Sequence, residues 1–125
     1  MLALVDIVDR ASNRAQPRLA IFDLQGGTQS TPRLLVPNPN ISAGSLYSGG
    51  ARFSPDGNSV VYAIKTNGVG NLWIQPLDGS PGRVATNYSS DVISHFRLSP
   101  DGTALAVSRV HTISDIVVLR NAPNP

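Results

Sequence analysis

Phe53-Ser54-Pro55-Asp56-Gly57 and Leu98-Ser99-Pro100-Asp101-Gly102 are one turn written twice, 45 residues apart. The chemistry of the turn is explicit. Pro55 and Pro100 preset φ for the first corner, and Asp56 and Asp101 accept backbone N–H groups inside the turn. Gly57 and Gly102 take the positive φ that returns the chain to a twisted sheet. The flanks repeat as well. Ala51-Arg52-Phe53 precedes the first copy and Phe96-Arg97-Leu98 the second, while Val60-Val61-Tyr62-Ala63 follows one and Leu105-Ala106-Val107-Ser108 the other.

The register extends in both directions. Asn71-Leu72-Trp73-Ile74 aligns with Asp115-Ile116-Val117-Val118 at a spacing of 44, one residue having been lost from the intervening turn. Upstream, Leu19-Ala20-Ile21-Phe22 and Leu24-Gln25-Gly26-Gly27 align with Leu72-Trp73-Ile74-Gln75 and Leu77-Asp78-Gly79-Ser80, with no Ser-Pro-Asp-Gly before them. Each repeat reads as short strands, A to D, joined by tight turns. The complete repeat has A at about Gly50–Phe53, B at Ser59–Thr66, a hairpin turn at Asn67–Gly70, C at Asn71–Leu77 and D at Arg83–Thr86. The first has B at Leu2–Asp9, C at Arg18–Leu24 and D at Arg33–Val36; the last has A at Ile93–Leu98, B at Thr103–Val110 and C at Asp115–Arg120.

Four antiparallel strands in ~40–45 residues is the period of a β-propeller blade, whose sheet needs a neighbour on each face. The expected fold is therefore all-β, a partial propeller of antiparallel four-stranded blades in an incomplete ring. Residues 1–36 make a partial blade (strands B–D) and 37–48 a connecting loop. Residues 49–87 make a complete blade, and 88–125 a final blade (strands A–C) with a C-terminal tail. The 125 residues fall short of the ~4–8 blades that close a ring.

Composition agrees. All 8 acidic residues are Asp, and Lys65 is the one lysine among 10 basic residues, so the helix-surface vocabulary of Glu and Lys is nearly missing. Gly 11 and Pro 10 supply turns. The net charge of +2 is spread along the chain without a basic run, which gives no support to nucleic-acid binding. Cysteine is absent, which excludes disulfides and thiolate metal sites. Met1–Val5 is apolar, but Asp6, Asp9 and Arg10 interrupt it, so it reads as a strand and not as a signal peptide or membrane span. Compartment is left open, with a periplasmic or membrane-anchored parent protein carrying an extracytoplasmic propeller as one placement.

The paired motifs, with Asn71-Leu72-Trp73-Ile74-Gln75-Pro76-Leu77-Asp78-Gly79 after the first, resemble the TolB-like, WD-repeat-like propeller family. The clear match covers about Gly49–Arg120, and a weaker one reaches back to Leu2. In that family the motif joins the innermost strand of a blade to the second. The stretch is also similar to the C-terminal propellers of bacterial sensor-type Ser/Thr kinases and regulators. The resemblance implies remaining blades in a longer parent chain, a protein or peptide partner, and no cofactor. Asn121-Ala122-Pro123-Asn124-Pro125 suits a terminus awaiting a strand from elsewhere, because proline cannot donate to a ladder.

Ser54, Pro55, Asp56, Gly57, Ser99, Pro100, Asp101 and Gly102 read as a structural turn motif, not as an acid–base pair. His95 and His111 are too few for a zinc site and read as surface histidines. No Gly-x-Ser-x-Gly elbow supports a hydrolase, and Gly68-x-Gly70 reads as part of a hairpin turn. Asn40-Ile41-Ser42 and Asn87-Tyr88-Ser89 match the glycosylation pattern, which recurs by chance. Trp73 and Tyr62 read as packing between blades. Arg52 and Arg97 recur at one place in strand A, nearest the propeller axis. They are candidates to present cations to a ligand or partner, with pairing to the turn aspartates as the plainer alternative.

No catalytic or metal residues are expected. The leading expectation is a non-catalytic binding or scaffold module, the C-terminal part of a TolB-like propeller. The alternative is the regulatory propeller of a larger enzyme, a sensor Ser/Thr kinase or a prolyl-oligopeptidase-like hydrolase, whose catalytic domain lies outside this sequence. The turn reading makes a direct prediction. Gly102→Val should lower the melting temperature, since a β-branched residue at positive φ costs on the order of 1–3 kcal/mol. Equal melting of the variant and the parent would refute the turn assignment.

Overall fold

The computed structural model describes residues 2–9, 14–23, 31–42, 50–111, 113, 116 and 117, with side chains from residue 17 onward. The described residues form strands and turns only. In chain order the strands are β1 (Leu2–Asp9), β2 (Arg14–Ile21), β3 (Arg33–Leu35), β4 (Arg52–Phe53) and β5 (Ser59–Thr66), then β6 (Val69–Pro76), β7 (Arg83–Val84), β8 (Val92–Leu98) and β9 (Leu105–Val110). They make three antiparallel sheets, β1-β2-β3, β4-β5-β6-β7 and β8-β9, each ordered as the chain runs. No sheet closes on itself among the described residues, and no helix there is long and apolar enough to cross a membrane.

The run Val60-Val61-Tyr62-Ala63-Ile64 in β5 decides how the sheets pack. Five consecutive residues are buried, so both faces of this strand are covered. A strand with one wet face would alternate apolar and polar residues instead. Side chains leave a strand on alternate faces. Val60, Tyr62 and Ile64 pack with Leu19 of the first sheet, bordered by Leu35, Ile41, Ala51, Trp73 and Leu77. Val61 and Ala63, with Leu72 of β6, pack against Ile93 and Phe96 of the third sheet, bordered by Ile74, Tyr88, Leu98 and Val107. The second sheet therefore lies between the other two.

The facing repeats with the sequence. Tyr62 and its counterpart Val107 each look back at the preceding sheet. Leu72 and its counterpart Leu19, 1% and 0% exposed, each look forward at the following one.

Two glycines set local geometry. Asn67 and Gly68 have φ of 50° and 80°, which makes the β5–β6 connection a two-residue hairpin with both residues left-handed. The turn is thus tighter than the four residues Asn67–Gly70, and β6 starts at Val69. Gly70 belongs to the strand. Its N–H donates to the Asp91 carbonyl at 2.8 Å, and a Cβ there would sit 2.6 Å from the Ile93 nitrogen. Gly70 lets the backbones of the second and third sheets touch.

Other boundaries move for visible reasons. β2 begins at Arg14 instead of Arg18 and includes Pro17, which pairs with Asp6 outside the Leu19–Ile21 stretch that meets β3. β7 stops at Val84 instead of Thr86, because the Thr86 hydroxyl accepts the Leu72 N–H at 3.0 Å and donates to Asn71 Oδ1 at 2.8 Å. β9 starts at Leu105, since Thr103 belongs to the turn. The third strand expected at Asp115–Arg120 lies mostly outside the described residues. Its described members Ile116 and Val117 belong to no strand and are 93% and 76% exposed.

The close approach at Gly70 yields a test. Gly70→Ala should lower unfolding free energy by about 1–3 kcal/mol, because a backbone atom stands where the methyl would go. Urea unfolding measures it, and an unchanged midpoint would mean that the second and third sheets are not in backbone contact.

Candidate functional site

The two Ser-Pro-Asp-Gly turns fold alike. In the first, the Gly57 N–H donates to the Ser54 carbonyl at 2.9 Å and the Ser54 hydroxyl donates to Asp56 Oδ1 at 2.5 Å. Asp56 Oδ1 also accepts the Asn58 N–H at 2.9 Å, and Ser54 Oγ accepts the Ser59 N–H at 3.0 Å. In the second, Gly102 N–H to Ser99 carbonyl is 2.9 Å, Ser99 hydroxyl to Asp101 Oδ1 is 2.6 Å, and Ala104 N–H to Ser99 Oγ is 2.9 Å. Thr103 adds its N–H and its hydroxyl to Asp101. Gly57 and Gly102 both have φ of 73°. The turns also meet: a Cβ on Gly102 would lie 3.3 Å from Cγ of Pro55.

These hydrogen bonds favour the carboxylate form. The Ser99 hydroxyl, then the N–H and hydroxyl of Thr103, bring Asp101 down to about 2 from an ordinary 3.8. The Ser54 hydroxyl and the Asn58 N–H lower Asp56, and Ser80 lowers Asp78 in the β6–β7 turn. Each carboxylate is thereby committed to its own turn.

That commitment corrects one pairing expected from sequence. Arg52 and Arg97 make no ion pair with Asp56 or Asp101; the described ion pair joins Arg109 to Asp91, whose other oxygen contacts His111 Nδ1. Arg52 has a buried Nε with no hydrogen-bond partner among the described residues. Arg97 is exposed on the face of the third sheet turned away from the second. There it borders a shallow, mostly apolar hollow of about 260 Å³ with His95, Phe96, Ala106, Val107 and Ser108.

Tyr62 and Trp73 do lie between the first two sheets. The Tyr62 hydroxyl donates to Gln75 Oε1 at 2.6 Å and accepts the Asn38 N–H at 2.7 Å. Gln75 Nε2 donates to the Val36 carbonyl at 2.9 Å. Burial pushes the Tyr62 phenol up to about 12, so it remains a neutral donor. Trp73 lies against Gly82, where a Cβ would come 2.5 Å from its indole nitrogen.

The opposite end of the second and third sheets holds a constellation that sequence reading missed. A cleft of about 370 Å³ is lined by Lys65, Gly68, Val69, Ser90, Asp91, Val92, Val110 and His111. Asp91 has φ of 65°, an uncommon backbone state that aspartate tolerates better than most residues. Its Oδ1 lies 2.8 Å from His111 Nδ1, and its Oδ2 lies 3.3 Å from an Arg109 terminal nitrogen. Arg109 also donates to the Ser90 carbonyl at 2.7 Å and stacks 4.0 Å above the Tyr88 ring. His111 is exposed, as expected, yet Asp91 orients it. No spacing in the sequence signals this group, because Lys65, Asp91 and His111 come from a hairpin, a linker and a strand end. Among the described residues no three His, Asp, Glu or Cys side chains stand together as a metal site.

The turn aspartates predict the acid response. A carboxyl held low contributes stability above its unfolded value near 3.8 and loses it as pH falls through about 2. Carbon NMR titration should place the Asp101 midpoint near 2, and Ser99→Ala should raise it; the same midpoint in both proteins would contradict the hydrogen-bond cause. No protein-family model and no curated protein matches the chain.

Proposed function

We propose that the chain is a segment of a TolB-like β-propeller serving as a non-catalytic binding or scaffold module. The observation that carries this reading is the repeated facing of the sheets. A residue and its counterpart one repeat on point the same way, as Tyr62 and Val107 do, and an arrangement built so can be extended by adding sheets. The polar side chains of the motif are engaged in their own turns. They serve the geometry of the loops, and loops on a rigid scaffold are the usual carriers of recognition.

On this reading the outward face of the third sheet meets a further blade of a longer parent chain. Arg97 pairs with Ala106, and His95 with Ser108, across that face. The face carries the shallow, mostly apolar hollow beside Arg97 and His95, and the exposed Leu105 and Val110 lie on the strand at its edge. Arg52 and Arg97, at matched positions of β4 and β8, are the proposed cationic contacts, Arg97 toward the chain that covers this face.

An isolated chain would then satisfy the uncovered face with a second copy. Light scattering at tens of micromolar should show dimers or larger species, and Ala106→Arg, which puts a second cation directly across from Arg97 in the middle of that face, should return the chain to a monomer. A cooperative, unchanging monomer across that range would overturn the propeller reading.

A further inference from the structure

We infer that the cleft between the second and third sheets is a binding site for a carboxylate carried on a short apolar body. The claim depends on Lys65, Asp91, His111 and the valines beside them. It holds whether or not the chain belongs to a propeller, because the described lining comes from the second and third sheets, the β5–β6 turn and the residues flanking β8 and β9.

The charge balance points to an anion. Among the described lining residues Asp91 is the acidic one, and Arg109 stands against it at 3.3 Å. Lys65 is exposed at the end of β5, and its ammonium makes no ion pair or hydrogen bond among the described residues. Among the described residues the wall therefore keeps one uncompensated cation. His111 adds directionality. With Asp91 Oδ1 2.8 Å from Nδ1, the carboxylate holds the proton on that nitrogen. Nε2 then faces away from Asp91 with its lone pair free to accept a hydrogen bond. The backbone beside it is fixed by the left-handed Gly68 and Asp91 and by the Gly70 N–H bond to the Asp91 carbonyl.

The rest of the lining selects against a bare inorganic ion. Val69, Val92 and Val110 bring apolar surface to the same space. A volume of about 370 Å³ suits a small ligand or the last residues of a peptide. The matching chemistry is a carboxylate at Lys65 Nζ with an aliphatic group against the valines, while His111 Nε2 accepts an N–H where the ligand carries one. Two sources share it: a peptide C-terminus and a free short-chain carboxylic acid.

Amide NMR titration of the full chain decides the question with four probes: N-acetyl-valyl-valine, the same peptide as its C-terminal amide, isovalerate and inorganic phosphate. The inference expects saturable shifts at Gly68, Val69 and Asp91 with the free-acid peptide, with isovalerate, or with both. The tighter of the two names the source. The amide should bind at least about tenfold more weakly, as should the free acids to Lys65→Gln, since a hydrogen bond to a charged group is lost. His111→Ala should weaken peptide binding independently of Lys65. Absence of saturable shifts with either acid would overturn the inference. So would equal binding of acid and amide, equal binding to parent and Lys65→Gln, or phosphate binding as tightly as the acids.

Discussion

The structure depends on burying one strand from both sides. Val60–Ile64 of β5 offers apolar side chains to two faces at once, and a single sheet can shelter only one of them by folding over. Covering both requires a sheet before and a sheet after, and the chain supplies each. Burying an aliphatic or aromatic side chain is worth about 1.5–3 kcal/mol, so losing either neighbour exposes several such side chains together. This ties the stability of the three sheets into one problem, although they share few backbone hydrogen bonds.

The polar groups follow from that burial. Where the chain leaves the first sheet for the second it passes Tyr62, whose buried hydroxyl is bonded by Asn38 and Gln75. Where it leaves the second for the third it passes Asn71, which accepts the Tyr88 N–H at 2.8 Å and donates to the Tyr88 carbonyl at 3.2 Å. Both linkers are thus held by a side chain of the middle sheet. The Ser-Pro-Asp-Gly turns gather at one end of the stack, and the cleft with Lys65, Asp91 and His111 opens at the other. The first end reads as structure, with its carboxylates committed. The second retains an ammonium without a partner among the described residues, an oriented imidazole and space for a ligand.

Much of this was legible in the sequence because turns and strands are local. The glycine positions of the repeated motif, the extents of β1 and β5 and the double-faced character of the second repeat all follow from residue type and spacing. Boundaries failed where a distant partner decided them. Thr86 leaves strand geometry to bond β6, and Gly70 is a packing glycine because β8 presses on it. The Arg–Asp pairing does not form; each turn aspartate turns its Oδ1 to hydroxyls and N–H groups of its own turn instead. The cleft was invisible because its residues are brought together only by the stacking of two sheets.

The central claim is that β5 is held jointly by its two neighbours, and amide hydrogen exchange on Phe96→Ala tests it most directly. Phe96 lies in the third sheet and packs on the forward face of the second. If the stack is one cooperative unit, the variant loses protection across β5 and β6 and also in β1–β2, beyond the reach of the deleted ring. Loss of protection confined to β8–β9, with β5 exchanging as in the parent, would show that the sheets are stable independently and would contradict the account.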